Sequence, residues 1–169
     1  MNPPTWALIH ARKQTLGLAR DIPQSAACSQ SYSGEHHPSW IVGHLLLADA
    51  YLLHLIGIED LGTDFGSLLT CYGPGAVPVP APGPYGSFAT LITRLSESGE
   101  ERAAAVSRMN PSDLARALPD PVLAQTQPTF GHHLQAMLYH EGYHGGQLAA
   151  WRRNHRLAPA SWTFAPPAV

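Results

Sequence analysis

His140 and His144 lie four residues apart within the stretch His133 to Leu148. On an α-helix this spacing puts both imidazoles on one face, one above the other. Leu134, Met137, Leu148 and Trp151 fall near the same stripe, so the pair is predicted to point into the protein rather than into water. Buried imidazoles need a hydrogen-bond partner or a ligand. Two readings are open: ordinary core or interface histidines, or ligands for a divalent ion such as zinc, nickel or iron. The apolar stripe, the glycines beside the pair (Gly142, Gly145, Gly146) and a third histidine in another apolar segment favour the metal reading.

That third histidine is His44, embedded in Trp40-Ile41-Val42-Gly43-His44-Leu45-Leu46. Pro38 starts a helix at its first turn with His37 as a cap, and the helix runs to about Ile58. Trp40, His44, Leu47, Tyr51 and Leu55 share one of its faces. The run Trp40 to Ile58 contains His44, Asp49 and His54 and reads as a buried helix rather than a membrane span. His54 is ten residues beyond His44, too far along the axis to share an ion with it.

Three further helices are expected. One covers about Thr5 to Asp21, with Trp6, Ile9, Lys13, Leu16 and Arg20 on a broad inner face and His10 exposed. A second covers about Ser87 to Ser107, with Phe88, Leu91, Ile92, Leu95, Arg102 and Val106 in helical period and Gly99 as a weak point. The third, capped by Thr129, carries the histidine pair and ends near Asn154. A short helix follows Asn110-Pro111-Ser112-Asp113. Residues 23–39 and 121–128 read as loops. Residues 59–87 read as an extended crossover, because Gly73 to Pro84 is too rich in proline for helix or central strand. Such a connection is either plain linker or the rim of a site. After His155 the tail, with Trp162 and Phe164, is expected to be irregular. Four substantial amphipathic helices define an all-α four-helix bundle, and 169 residues suit one domain.

Composition narrows the function classes. A net charge of -2 with 13% charged residues offers no basic stripe for a polyanion, so nucleic acid is not an expected partner. Arg152, Arg153 and Arg156 form a small cluster at an expected exposed helix end. Cys28 and Cys71 have no metal or disulfide spacing, and Cys28 lies near no obvious base. The first residues lack the apolar core of a signal peptide, and a cytoplasmic protein is expected.

His44 from one helix and His140 with His144 from another can meet inside such a bundle. Three nitrogens leave a coordination position open, which is the arrangement of a catalytic rather than a structural site. His140-Glu141-Gly142-Tyr143-His144 also satisfies H-E-x-x-H, the zinc-peptidase pattern in which the glutamate is the base. No downstream ligand follows, since position 147 is Gln and 150 is Ala. Glu141 is retained as a candidate base. Gln147 is placed to orient a ligand, Trp40 to wall the site, and His133 at a pocket mouth or in a hydrogen bond.

The Trp40-Ile41-Val42-Gly43-His44-Leu45 segment, together with His140-Glu141-Gly142-Tyr143-His144-Gly145-Gly146-Gln147-Leu148-Ala149, resembles the DinB/YfiT-like (DNA-damage-inducible) superfamily. The resemblance spans nearly the whole chain. It implies a bundle of up-down-down-up topology with a long crossover after the second helix, and a metal site, often zinc or nickel, at His44, His140 and His144. It also implies a homodimer and, from the characterised members, thiol transferases and a mycothiol-dependent isomerase. The expectation is therefore a divalent-metal-dependent enzyme acting with a low-molecular-weight thiol on an electrophile. The alternatives are a metal-binding stress-response or regulatory protein without turnover, and a zinc peptidase.

Overall fold

The structure, a computed structural model, describes residues 3–58 and 65–160. Its helices are α1 (Pro3–Ala19), α2 (Pro38–Ile56), α3 (Phe65–Tyr72), α4 (Phe88–Ser107), α5 (Pro111–Ala115) and α6 (Phe130–Asn154). Four of them form the bundle: α1 and α2 each pack against both α4 and α6. Among the described residues the only β pairing is an isolated bridge between Ala117 and Thr129.

The apolar side chains give the directions of the helices. Leu8, Leu52, Val106 and Leu134 gather in one cluster. Leu16, Trp40, Leu91 and Leu148 gather in another. Along the chain α1 runs from the first cluster to the second, α2 and α4 run back, and α6 returns, which is the up-down-down-up course. Two consecutive bundle helices, α2 and α4, thus run parallel. That demands a connection as long as the molecule, and the proline-rich crossover supplies it.

Local chemistry sets the ends of the helices. Pro38 lies in the first turn of α2, and the preceding His37 uses Nδ1 to accept the Trp40 N–H at 3.2 Å. His37 Nε2 then donates to the Val79 carbonyl at 3.0 Å, so one imidazole caps α2 and anchors the crossover. Gly57 ends α2 at φ 93, a left-handed conformation that favours glycine. Ser87 and Thr129 cap α4 and α6 with their hydroxyls, and Asn110 with Asp113 builds a full capping box on α5.

Between the two apolar clusters lies a buried ionic quartet, one member from each bundle helix. Arg12 donates to Glu141 from Nε (2.6 Å) and Nη2 (3.1 Å), and from Nη1 to Asp49 (2.7 Å). Arg102 Nη1 bridges Asp49 (2.7 Å) and Glu141 (3.0 Å). Ser98 Oγ donates to Asp49, and the carbonyls of Leu95 and Leu8 accept from Arg12 and Arg102. All four side chains are at most 5% exposed. Burial pushes the Asp49 carboxyl up, but Arg102 and Arg12 outweigh it and hold the pKa below the usual carboxylate value.

The quartet corrects the reading of the first helix. The inner stripe is Thr5, Leu8, Arg12, Thr15, Leu16 and Ala19, rotated from the expected face, because Arg12 turns inward to its two carboxylates. Trp6 is 47% exposed, Lys13 and Arg20 face solvent, and His10 is half-buried, stacked on Trp6. Gly99 is a passage rather than a weakness: a Cβ there would come within 3.0 Å of the Arg12 side chain. Arg152 is also not at an exposed end. It is 2% exposed and bonds the Asp21 carboxylate and the carbonyls of Leu18 and Ala158. The crossover is not loop throughout, since α3 lies within it and packs on α2. Trp162 and Phe164 lie outside the described residues.

Removing one member of the quartet strands buried charge. Asp49→Ala is expected to lower the unfolding free energy by about 3–5 kcal/mol, read by urea denaturation of the metal-free protein. A loss below about 1 kcal/mol would show that the two arginines find other acceptors and that the quartet is not what fixes the bundle.

Candidate metal centre

One turn toward the α2 N-terminus from the quartet, three imidazoles converge. His44 comes from α2; His140 and His144 come from successive turns of α6. The Nε2 atoms of His44 and His140 are 2.9 Å apart, and those of His140 and His144 are 3.1 Å apart. One ligand atom from each of the three residues fits within 4.8 Å of the others. Zinc–nitrogen bonds of about 2.0–2.1 Å at tetrahedral angles separate their nitrogens by about 3.3 Å. Two of the three separations are close to that and all lie within 4.8 Å, so the cluster can coordinate a divalent metal.

The outer nitrogens decide which atoms face inward. His44 Nδ1 donates to the Tyr72 backbone carbonyl at 2.7 Å. His144 Nδ1 donates to Gln147 Oε1 at 2.7 Å. A neutral imidazole carries one proton, so both rings must present an Nε2 lone pair to the centre. Each of these lone pairs faces His140 Nε2 across about 3 Å, where a proton on His140 or a cation must lie between them. The donor set therefore fits a metal ion through its orienting bonds as well as its spacing.

The environment keeps these rings uncharged. Burial lowers the pKa of all three; for His140 and His144 the neighbouring imidazoles add to it, taking them to about 4 and about 3. Glu141 and Asp49 partly oppose the shift at His140. At neutral pH the cluster is thus in its ligand form.

Aromatic rings close one side. Trp40 stacks on His44 with centroids 4.7 Å apart and on His36 at 4.1 Å. His36 also bonds Gln147 Oε1 from Nδ1 at 3.3 Å, so Gln147 links His36 to His144. On the other side are two cavities. The larger, 460 Å³, is lined by His44, Leu47, Ala48, Tyr51, Phe65, Leu69, Pro74, Asp120, Val122 and Leu123. The smaller, 330 Å³, lies beside His140 and His133 and shares Ala48, Tyr51 and Leu123 with it. Of the crossover's proline-rich part, Pro74 reaches this wall; the rest lies elsewhere.

The remaining candidates are accounted for by position. Glu141 does not join the imidazoles: it is 1% exposed, and both carboxylate oxygens accept guanidinium N–H groups of the quartet. Trp40 walls the cluster and Gln147 orients His144, as their spacing suggested. His133 is buried at the smaller cavity. His54 is exposed, away from the cluster. Gly142 and Gly146 have open space where a Cβ would sit, so neither clears room for the site. The glycine that does is Gly43, where a Cβ would come within 2.2 Å of the Tyr72 ring. It lets α3 approach α2 closely enough for the Tyr72 carbonyl to reach His44. Sequence reasoning missed Tyr72 and His36. The signal for the first was the glycine directly before His44.

The model of the DinB superfamily matches residues 7–148 of this chain, and the chain belongs to that superfamily. Among curated proteins and among solved structures, no significant match is found.

Two measurements test the centre. His144→Ala is expected to abolish stoichiometric zinc binding in calorimetry, and Gln147→Leu to weaken it by about 10–100-fold; full-affinity binding by His144→Ala would reject the assignment. For the metal-free protein, the unfolded chain takes up protons on these imidazoles near their ordinary value of 6.5, while the folded chain resists until about 4 and about 3. Their contribution to stability is complete above that ordinary value and is lost as pH falls below it. The melting temperature is expected to drop between pH 6.5 and 4, and to drop less steeply in His144→Ala. Parallel curves would assign the acid sensitivity to other groups.

Proposed function

We propose that this protein is a divalent-metal-dependent enzyme that transfers a low-molecular-weight thiol to an electrophilic small molecule. The observation that carries the reading is the junction of two features. The three Nε2 atoms converge, two with their tautomers fixed by Tyr72 and Gln147, and two of the three residues, His44 and His140, line cavities whose surface is mostly carbon. His44, His140 and His144 would hold the ion, zinc or nickel by donor type. A bound divalent ion supplies the positive charge that keeps a thiol deprotonated near neutral pH.

The chain's own residues do the remaining work. Trp40 keeps water from one side of the cluster. Leu47, Ala48, Phe65 and Leu69 offer an apolar bed for the electrophile. In the transfer the thiol gives up its proton to solvent, its sulfur forms the new bond to carbon, and the leaving group departs with its electron pair. Glu141 is a positioning residue in this reading, because its oxygens are engaged by Arg12 and Arg102. A second reading, a metal-binding protein without turnover, is favoured by one observation: among the described residues no Lys or Arg lines either cavity, so a thiol bearing carboxylates meets no counter-charge from them there.

The two readings separate in one assay. Zinc-loaded protein with 2-mercaptoethanol and 1-chloro-2,4-dinitrobenzene is expected to release chloride above the uncatalysed rate, and His144→Ala to lose that excess. Stoichiometric zinc without thiol-dependent turnover across a panel of electrophiles would leave the binding protein. Cleavage of casein that disappears in Glu141→Gln would return the H-E-x-x-H pattern to a peptidase.

A further inference from the structure

His36 lies just before α2, outside the three imidazoles that converge. It nevertheless touches both supports of that cluster. Its ring stacks on Trp40 with centroids 4.1 Å apart and planes 25° apart, and Trp40 stacks on His44 at 4.7 Å and 10°. Three rings thus form a pile that starts in the loop before α2 and ends on a candidate ligand. At its edge, His36 Nδ1 lies 3.3 Å from Gln147 Oε1, the oxygen that also takes the His144 Nδ1 proton at 2.7 Å. An amide oxygen only accepts, so both rings donate to it, and His36 carries its proton on Nδ1.

The orientation of Gln147 matters because it decides which nitrogen of His144 is free. With Oε1 toward the ring, Nδ1 keeps the proton and Nε2 presents a lone pair to the cluster. With the amide swung away, His144 loses its acceptor, and its proton can move to Nε2, the atom that has to bind the ion. Gln147 is half-buried and joined to α6 by a chain with several staggered rotamers. Ordering such a chain costs entropy. The His36 N–H is a second anchor on the same oxygen, and the stack on Trp40 fixes where that anchor stands.

We infer that His36 is a positioning residue for the histidine cluster: through the Gln147 oxygen it holds His144 in the tautomer that leaves Nε2 free. The glutamine is then already ordered when an ion binds, and the cost of ordering it is not subtracted from the affinity. His36 does not itself reach the ion position. Its Nδ1 meets the outer oxygen, and its ring centroid is 6.2 Å from that of His144. The inference rests on the cluster being a metal site and does not need turnover.

The test measures zinc affinity of the full chain by competition with a coloured chelator. It also locates the His36 proton by nitrogen NMR in mildly alkaline buffer. His36→Phe keeps a ring on Trp40 and removes the N–H. It is expected to weaken zinc about fivefold. Placed on Gln147→Leu, the same substitution is expected to cost less than about twofold, because the oxygen it acts through is gone. In the zinc-loaded protein the His36 proton is expected on Nδ1, and in Gln147→Leu His36 is expected to return to the tautomer mixture of a free side chain. The spectrum of the unsubstituted chain needs no variant, so it decides the matter even where His36→Phe does not fold. Zinc affinity untouched by His36→Phe, an equal loss with and without the Gln147 amide, or a zinc-loaded protein with the His36 proton on Nε2 would each overturn the inference. A chain that binds no zinc would overturn it together with the metal site. The expected pattern without thiol-dependent turnover would support it and count against the proposed enzyme alone.

Discussion

Two arginines and two carboxylates, one from each bundle helix, meet in the middle of this protein with almost no access to water. Such a group is weak as a source of stability, because the cost of dehydrating four charges nearly cancels their attraction. It is strong as a constraint. Each charge must find its partners or remain buried alone, and only one rotation and one height of each helix satisfies all four. Apolar side chains tolerate sliding and repacking; a closed quartet does not. We read it as the element that fixes the relative register of α1, α2, α4 and α6.

The histidine cluster uses that register. Glu141 and His140 are neighbours on α6, about 100° apart around the axis, so one turn of helix points a carboxylate into the quartet and an imidazole toward His44. On α2, Asp49 and His44 do the same from the facing side. Fixing the two carboxylates therefore fixes the separation of the two imidazoles. The outer bonds to Tyr72 and Gln147 then set the ring orientations. Height comes from buried charge, rotation from backbone and amide acceptors, and the lone pairs converge as a consequence of both.

Much of this was legible in the sequence, for physical reasons. Helical period and caps marked the four bundle helices, and the spacing of His140 and His144 within an apolar stripe placed their ligand atoms. The parts that were not legible depend on contacts between distant segments. Arg12 reads as a surface residue beside Lys13 until its partners 37 and 129 positions away are known. Arg102 did fall on the apolar face of its helix, and Asp49 within the most apolar run of the chain. Charges at such positions were the visible trace of the quartet. The Tyr72 carbonyl could not be anticipated, because a backbone acceptor has no side-chain signature; only Gly43 hinted that another segment comes close. The H-E-x-x-H match is limited in the same way, since a pattern states which residues are adjacent and not what each one faces.

A buried charge network next to an ion site has an electrostatic consequence as well. Summed over its members, the quartet is neutral, so it adds little net field to the metal centre. Its distribution is not symmetric: the carboxylates of Glu141 and Asp49 both act at His140 to favour positive charge, against the burial that opposes it. The imidazole closest to both carboxylates is also the one whose Nε2 lies between the other two. A cation at the cluster would sit where that negative potential is felt, in a medium that screens it poorly. The two carboxylates that help fix helix register thus also favour positive charge at His140, while the two arginines paired with them oppose it. That is a physical reason for the glutamate to follow the first histidine of the pair.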